Sequence, residues 1–217
     1  MELLRQREHH MKAMYHQVLS MGTHVEEALS KALHVLLDRN FQVAQEIHDH
    51  DPYIDTCQKA IEESCIHFIE TRKPNETTLR ELITLIKVSS DLERIGDLAQ
   101  HLARTIQNAG DPLVEQTQPQ LERMIRLGID MLHQSLIALT AKDTDLAERI
   151  ALQDSLIDTA HHELDNHIIS VMKESPEFIE SGVELLRLSR FLERLGDRVI
   201  NICEWIFYAK NGVHRDL

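Results

Sequence analysis

The chain has 217 residues, and its 23 Lys plus Arg against 36 Asp plus Glu give a formal charge of −13, a surface that repels phosphate backbones and argues against nucleic acid as a partner. Aromatics at 4% beside hydrophobics at 42%, with 7 Gly and 5 Pro, argue against a sandwich or barrel and for long helices. No run of about 18 apolar residues is present to span a membrane.

The charged stretch Met1 to His10 has no hydrophobic core, so no export signal is expected there. A first helix is expected from about Leu4 to Leu37, with its apolar stripe at Val18, Met21, Val25, Leu29, Leu33 and Leu36. Asp38, Arg39 and Asn40 make the turn into a second helix, Ala44 to about Thr71. A third, capped by Asn75 or Thr77, runs from about Thr78 to Asn108, and Gly110, Asp111 and Pro112 close this half. The expected helices then recur: Leu113 to Thr140, a cap at Asp143 or Thr144, Ala147 to about Lys173, a break at Ser175 and Pro176, and Glu177 to Asn211 and Gly212.

The recurrence is a tandem duplication. Asp91-Leu92-Glu93-Arg94-Ile95-Gly96-Asp97 returns 100 residues later as Phe191-Leu192-Glu193-Arg194-Leu195-Gly196-Asp197. The stripe Leu85, Val88, Leu92, Ile95, Ala99, Leu102, Ile106 returns as Leu185, Leu188, Leu192, Leu195, Val199, Ile202, Ile206. Upstream the displacement is 103: Ile47, Ile54, Ile61 and Phe68 become Ile150, Ile157, Leu164 and Val171. Three extra residues do not make a whole helical turn, so they belong in a loop, and Pro74, Asn75 and Glu76 lie where one is needed. The expected architecture is all-α: two tandem three-helix bundles, residues 1–110 and 111–217, related by approximate two-fold symmetry.

Four acid pairs sit at repeat-equivalent positions with i, i+4 spacing: Asp51 with Asp55, Glu93 with Asp97, Asp154 with Asp158, and Glu193 with Asp197. That spacing stacks two carboxylates on one helix face, where they repel each other unless a cation sits between them. With 36 acids in 217 residues, about one acid in six meets another four positions on by chance, so one pair means little. Four pairs preserved across a duplication point to metal sites. Glu93 and Asp97 point away from the stripe of Leu92 and Ile95, which puts such a site on the outer surface or in a shallow groove. Gly96 and Gly196, between the acids, mark either a closely approaching ligand or close helix packing. His101, Asn201 and His162, each four residues beyond an acid, are weaker candidates for further ligands. Oxygen donors suit Mg, Mn, Ca or ferric iron; histidine would admit zinc or nickel.

Cys57, Cys65 and Cys203 show neither a disulfide framework nor thiolate zinc spacing, which suits a reducing compartment. Of the 14 histidines, His9, His10, His16, His24 and His34 scatter without ligand spacing, and most are read as surface residues. A ferritin-like di-metal carboxylate protein would need Glu-x-x-His, and no glutamate has a histidine three positions on. His162 and Glu163 begin a metalloprotease-like phrase, but the next histidine, His167, comes one residue late. With no phosphate loop and no activated nucleophile, an enzyme is not expected; a purely structural helical adaptor stays open.

Two three-helix repeats, each with a D/ExxxD pair on its second helix and an ERxGD phrase on its third, resemble the PhoU family of phosphate-signalling proteins over nearly the whole chain. The resemblance implies a cytoplasmic, commonly dimeric regulator that acts negatively on the phosphate-starvation response. It implies partners too: the ATPase subunit of a phosphate ABC transporter and a membrane sensor histidine kinase. Iron or zinc clusters at the paired motifs, here the eight acids above, are a further implication. His101 stands where the second copy has Asn201, so the two sites need not be equivalent.

Overall fold

The computed structural model describes residues 2–108 and 111–217, and no strand is found among them. The first repeat comprises α1 (Glu2–Asp38), α2 (Phe41–Arg72) and α3 (Glu76–Asn108). The second comprises α4 (Asp111–Ala141), α5 (Thr144–Ala151), α6 (Asp154–Glu174), a 3-10 turn (Pro176–Phe178) and α7 (Ile179–Asn211). Gly110 lies outside the described residues, while Asp111 and Pro112 open α4 rather than extend a turn. No described helix is long and apolar enough to cross a membrane.

Local chemistry explains the ends. The side chain of Asn40 accepts from Gln42 N at 3.2 Å and starts α2, and Asn75, not Thr77, caps α3 by accepting from Thr78 N at 2.9 Å. Asp143 does the same for α5, accepting from the backbone of Asp145 and Leu146 at 3.0 and 2.9 Å. Arg39, Lys73 and Lys142 end α1, α2 and α4 in left-handed conformations, with φ of 51°, 44° and 53°. Lys73, Pro74 and Asn75 form the loop in which the first copy holds its three extra residues, one position earlier than the sequence suggested.

The helix expected from Ala147 to Lys173 is two helices. At Leu152 and Gln153 the ladder tightens to i→i−3 bonds, Gln153 N to Ile150 O at 2.9 Å and Leu156 N to Gln153 O at 2.9 Å. Neither Gly nor Pro marks the break, and the kink leaves Leu152 72% exposed just ahead of Asp154.

The stripes point inward as expected: Val18, Met21, Val25, Leu29 and Leu36 of α1, Leu85 through Ile106 of α3 and Leu185 through Ile206 of α7 are buried. One hydrophobic core runs through both repeats. Its spine is α3 packed against α7, the most extensive helix pairing, with α1 against α4 beside it. Three contacts fix α3 and α7 as antiparallel: Thr84 Oγ1 to Trp205 O at 3.2 Å, Asp91 Oδ1 to Arg198 Nη1 at 3.5 Å, and the His101 and Phe191 rings stacked at 5.2 Å. The His101–Phe191 stack has its pseudo-symmetric counterpart in the contact of Asp91 with Asn201. Asp91 accepts hydrogen bonds from Arg198 and Asn201 on one side of the axis, and on the other the equivalent residues Phe191 and His101 make a ring stack.

Asp91 is therefore a buried carboxylate at the repeat interface, with Arg94 at 3.7 Å as its second cation. Burial pushes its carboxyl upward, and the two arginines with Asn201 pull it back. Asp91→Ala should cost about 2–4 kcal/mol in denaturant unfolding, because Arg198 would be left without its partner against the core. A loss below about 0.5 kcal/mol would contradict the pairing's role. Lys73→Gly should instead stabilise by up to about 1 kcal/mol, since glycine adopts the left-handed conformation without strain.

Candidate functional site

The packing of α2 on α3 brings the first repeat's four acids together. Asp97 is pushed up by burial and then by Asp55; Glu93 by burial, then by Asp97, Asp55 and Asp51; Asp51 by burial, then by Asp97 and Asp55. All four are half-buried, at the margin of the core rather than in it. The second repeat repeats the grouping. Asp154, at the start of α6, is pushed up to about 6 by burial and then by Asp158, Asp197 and Glu193. Glu193 is half-buried there and Asp158 and Asp197 are exposed.

The neighbours of the acids set this position. Ile54, between Asp51 and Asp55, and Ile157, between Asp154 and Asp158, are buried, so the backbone that carries the flanking carboxylates is anchored with that face against the core. The glycines make the approach possible. A Cβ on Gly96 would stand 3.1 Å from Ile54 Cδ1, and one on Gly196 would stand 3.1 Å from Ile157 Cδ1 and collide with the Asp154 carboxylate. Close helix packing thus explains both glycines, and in the second copy one candidate ligand shares the space.

The two quartets differ in electrostatics. His48 and a hydrogen bond from Gln100 restrain Asp51, with His48 Nδ1 3.0 Å from Gln100 Nε2. Their repeat equivalents are Ala151 and Ile200, which offer Asp154 no such relief. Arg190 reaches Glu193 Oε1 at 3.3 Å, yet Glu193 Oε2 is buried without a hydrogen-bond partner. Of the weaker candidates, Asn201 is turned across the repeat interface to Asp91, His101 stacks on Phe191 while its charge still favours ionised Asp97, and His162 lies exposed beside His161.

Each quartet offers anionic oxygens, net repulsion and, in the second, an orphaned carboxylate oxygen, which is the donor chemistry a hard cation needs. Among the described residues no three His, Cys, Asp or Glu side chains stand placed around one ion, so the carboxylates must swing inward to coordinate.

Reasoning from spacing missed two polar groupings. His24, placed among the scattered histidines, meets His50 between α1 and α2 with Nδ1 and Nε2 3.4 Å apart. Buried His161 holds Ser189 Oγ at 2.6 Å and Asp165 Oδ1 at 3.7 Å, both on Nδ1. A catalytic relay needs the base and its orienting acid on opposite ring nitrogens, and Ser189 is fully buried.

Comparison with known proteins places the chain in a family. The PhoU domain matches twice, over residues 18–106 and 121–206, and each match contains one complete acid quartet. The chain belongs to the PhoU family. The phosphate-specific transport system accessory protein PhoU of Escherichia coli is 35% identical over 199 residues, spanning 90% of this chain and 81% of that protein. The PhoU homolog of Streptococcus pneumoniae is 32% identical, spanning 92% of both. The crystal structure of PhoU from Pseudomonas aeruginosa superposes with a TM-score of 0.88 at 27% identity, covering 95% of this chain and 99% of that one. The phosphate transport system regulatory protein PhoU of S. pneumoniae gives 0.89 at 31%, covering 95% and 98%.

The crowded acids should make the metal-free protein acid-stabilised. Asp154 has a folded pKa of about 6, above its ordinary 3.8, so its ionisation opposes folding above pH 6. That penalty fades as pH falls from about 6 to about 4. Asp154→Asn should therefore raise Tm at pH 7.5 in the presence of chelator, with a gain that shrinks towards pH 4.5. An equal or lower Tm at pH 7.5 would contradict the crowding.

Proposed function

We propose that this chain is an accessory regulator of a phosphate-specific transport system that acts negatively on the phosphate-starvation response. In this reading it links a phosphate ABC transporter, through the ATPase subunit, to a sensor histidine kinase of the phosphate two-component system. It works as a cytoplasmic homodimer that reaches the membrane only through those partners. The names of the relatives support the transport role. The observation that carries the proposal is that each of the two family matches spans a whole acid quartet, so each repeat of the family's fold holds one candidate site in this chain.

Metal would be held by Asp51, Asp55, Glu93 and Asp97 in one repeat and by Asp154, Asp158, Glu193 and Asp197 in the other. Family resemblance suggests iron or zinc, and the oxygen donors also suit Mg, Mn or Ca. Once bound, the ion would supply the positive charge that neutralises the quartet. The carboxylates compete for it with protons, Asp154 most strongly because it keeps its proton up to about pH 6. Regulation rather than turnover is favoured by the burial of Ser189 and by the one-sided contacts of His161.

Asp97→Asn combined with Asp197→Asn keeps side-chain shape and removes one charge per quartet. The variant should retain its helical circular dichroism and lose most of the metal found by elemental analysis. A phosphate-starvation reporter in a host dependent on this chain should then stay active in high phosphate. Normal repression with unchanged metal content, or robust phosphate-ester hydrolysis by the pure protein, would overturn the proposal.

A further inference from the structure

The sequence places His24 and His50 on different helices, where ligand spacing along one helix cannot reveal them. In the fold they form a compact group with Tyr53 and Glu27. The rings of His24 and His50 lie 5.1 Å apart, and Tyr53 stands 4.9 Å from the first and 5.2 Å from the second. Nδ1 of His24 is 3.4 Å from Nε2 of His50 and 3.6 Å from Glu27 Oε2. The Lys31–Glu46 ion pair at 3.0 Å and the His24–Tyr53 contact fix the antiparallel register of α1 on α2, and that register sets Glu27 level with His50. Both histidines are reachable, the His24 side chain being 27% exposed.

We infer that His24, His50 and Glu27 form a binding site for a borderline divalent cation of the zinc class, separate from the carboxylate quartets. Two imidazole nitrogens, each about 2.0–2.1 Å from a tetrahedral zinc, lie about 3.4 Å apart, which is the separation seen here. Neutral imidazole paired with one carboxylate suits zinc, copper or nickel, whereas the all-carboxylate quartets suit harder ions. Glu27 joins the two nitrogens only after its carboxylate turns, because no three such side chains stand around one point as the chains lie. Tyr53 covers the group from the side and leaves solvent the fourth position. The site belongs to the first repeat alone: the equivalents of His24, His50 and Tyr53 are Leu127, Gln153 and Leu156.

Zinc titration of the full chain against a chromophoric chelator tests this. Wild type should hold one equivalent that His24→Ala and His50→Ala each lose, with circular dichroism unchanged. Glu27→Gln should weaken that equivalent about tenfold. The Asp97→Asn, Asp197→Asn variant should keep it, and adding His24→Ala there should remove it, so the fate of the quartets is read separately. Zinc stoichiometry and affinity unchanged in the histidine variants would show a simple N–H···N hydrogen bond and overturn the site. Unchanged affinity in Glu27→Gln would overturn the three-ligand set.

Discussion

Eight carboxylates are held in two groups of four, against their repulsion, by the aliphatic residues beside them. Ile54 and Ile157 are anchored in the core between the acids of their pairs, and Leu92, Ile95, Leu192 and Leu195 are buried around the opposing pairs. Burying such side chains stabilises by about 1.5–3 kcal/mol each. Crowding acids at a partly solvated margin costs less than that, because water screens them. The fold can therefore hold a strained electrostatic arrangement without a bound ion, and the strain is the driving force available to any cation that relieves it.

Duplication set this arrangement up twice, and divergence then made the halves unequal. Burial, and then Asp158, Asp197 and Glu193, raise Asp154 furthest, and where the first repeat has His48 and Gln100 to restrain Asp51 the second has Ala151 and Ile200. At the repeat interface Asp91 and Phe191 occupy equivalent positions, one answered by Arg198 and Asn201 and the other by the His101 ring. A single core runs across the axis, and the third helix of each repeat, α3 and α7, meet there in the most extensive helix pairing.

Much of this was legible in the residues, for a physical reason. Periods of 3 and 4 in Leu85 through Ile106 mark a buried face whatever the neighbours are, and a repeat-preserved Glu93–Asp97 pair must present both carboxylates together. The ERxGD phrase carried the family as well. What stayed hidden depended on partners from another helix. The tightened turn at Leu152 and Gln153 has no Gly or Pro to signal it. His101 and Asn201 looked like extensions of the acid stripes, yet Asn201 serves the α3–α7 contact and His101 packs there on Phe191. The His24–His50 meeting follows from the register of α1 on α2, which no spacing within either helix encodes.

The most direct test of the central claim is crystallography of the metal-loaded protein with anomalous scattering at the metal's absorption edge. Anomalous density is expected in both repeats, one peak or cluster between Asp51, Asp55, Glu93 and Asp97 and another between Asp154, Asp158, Glu193 and Asp197, with the carboxylates swung inward. Metal-loaded crystals with no density at either quartet and the eight side chains unmoved would contradict it.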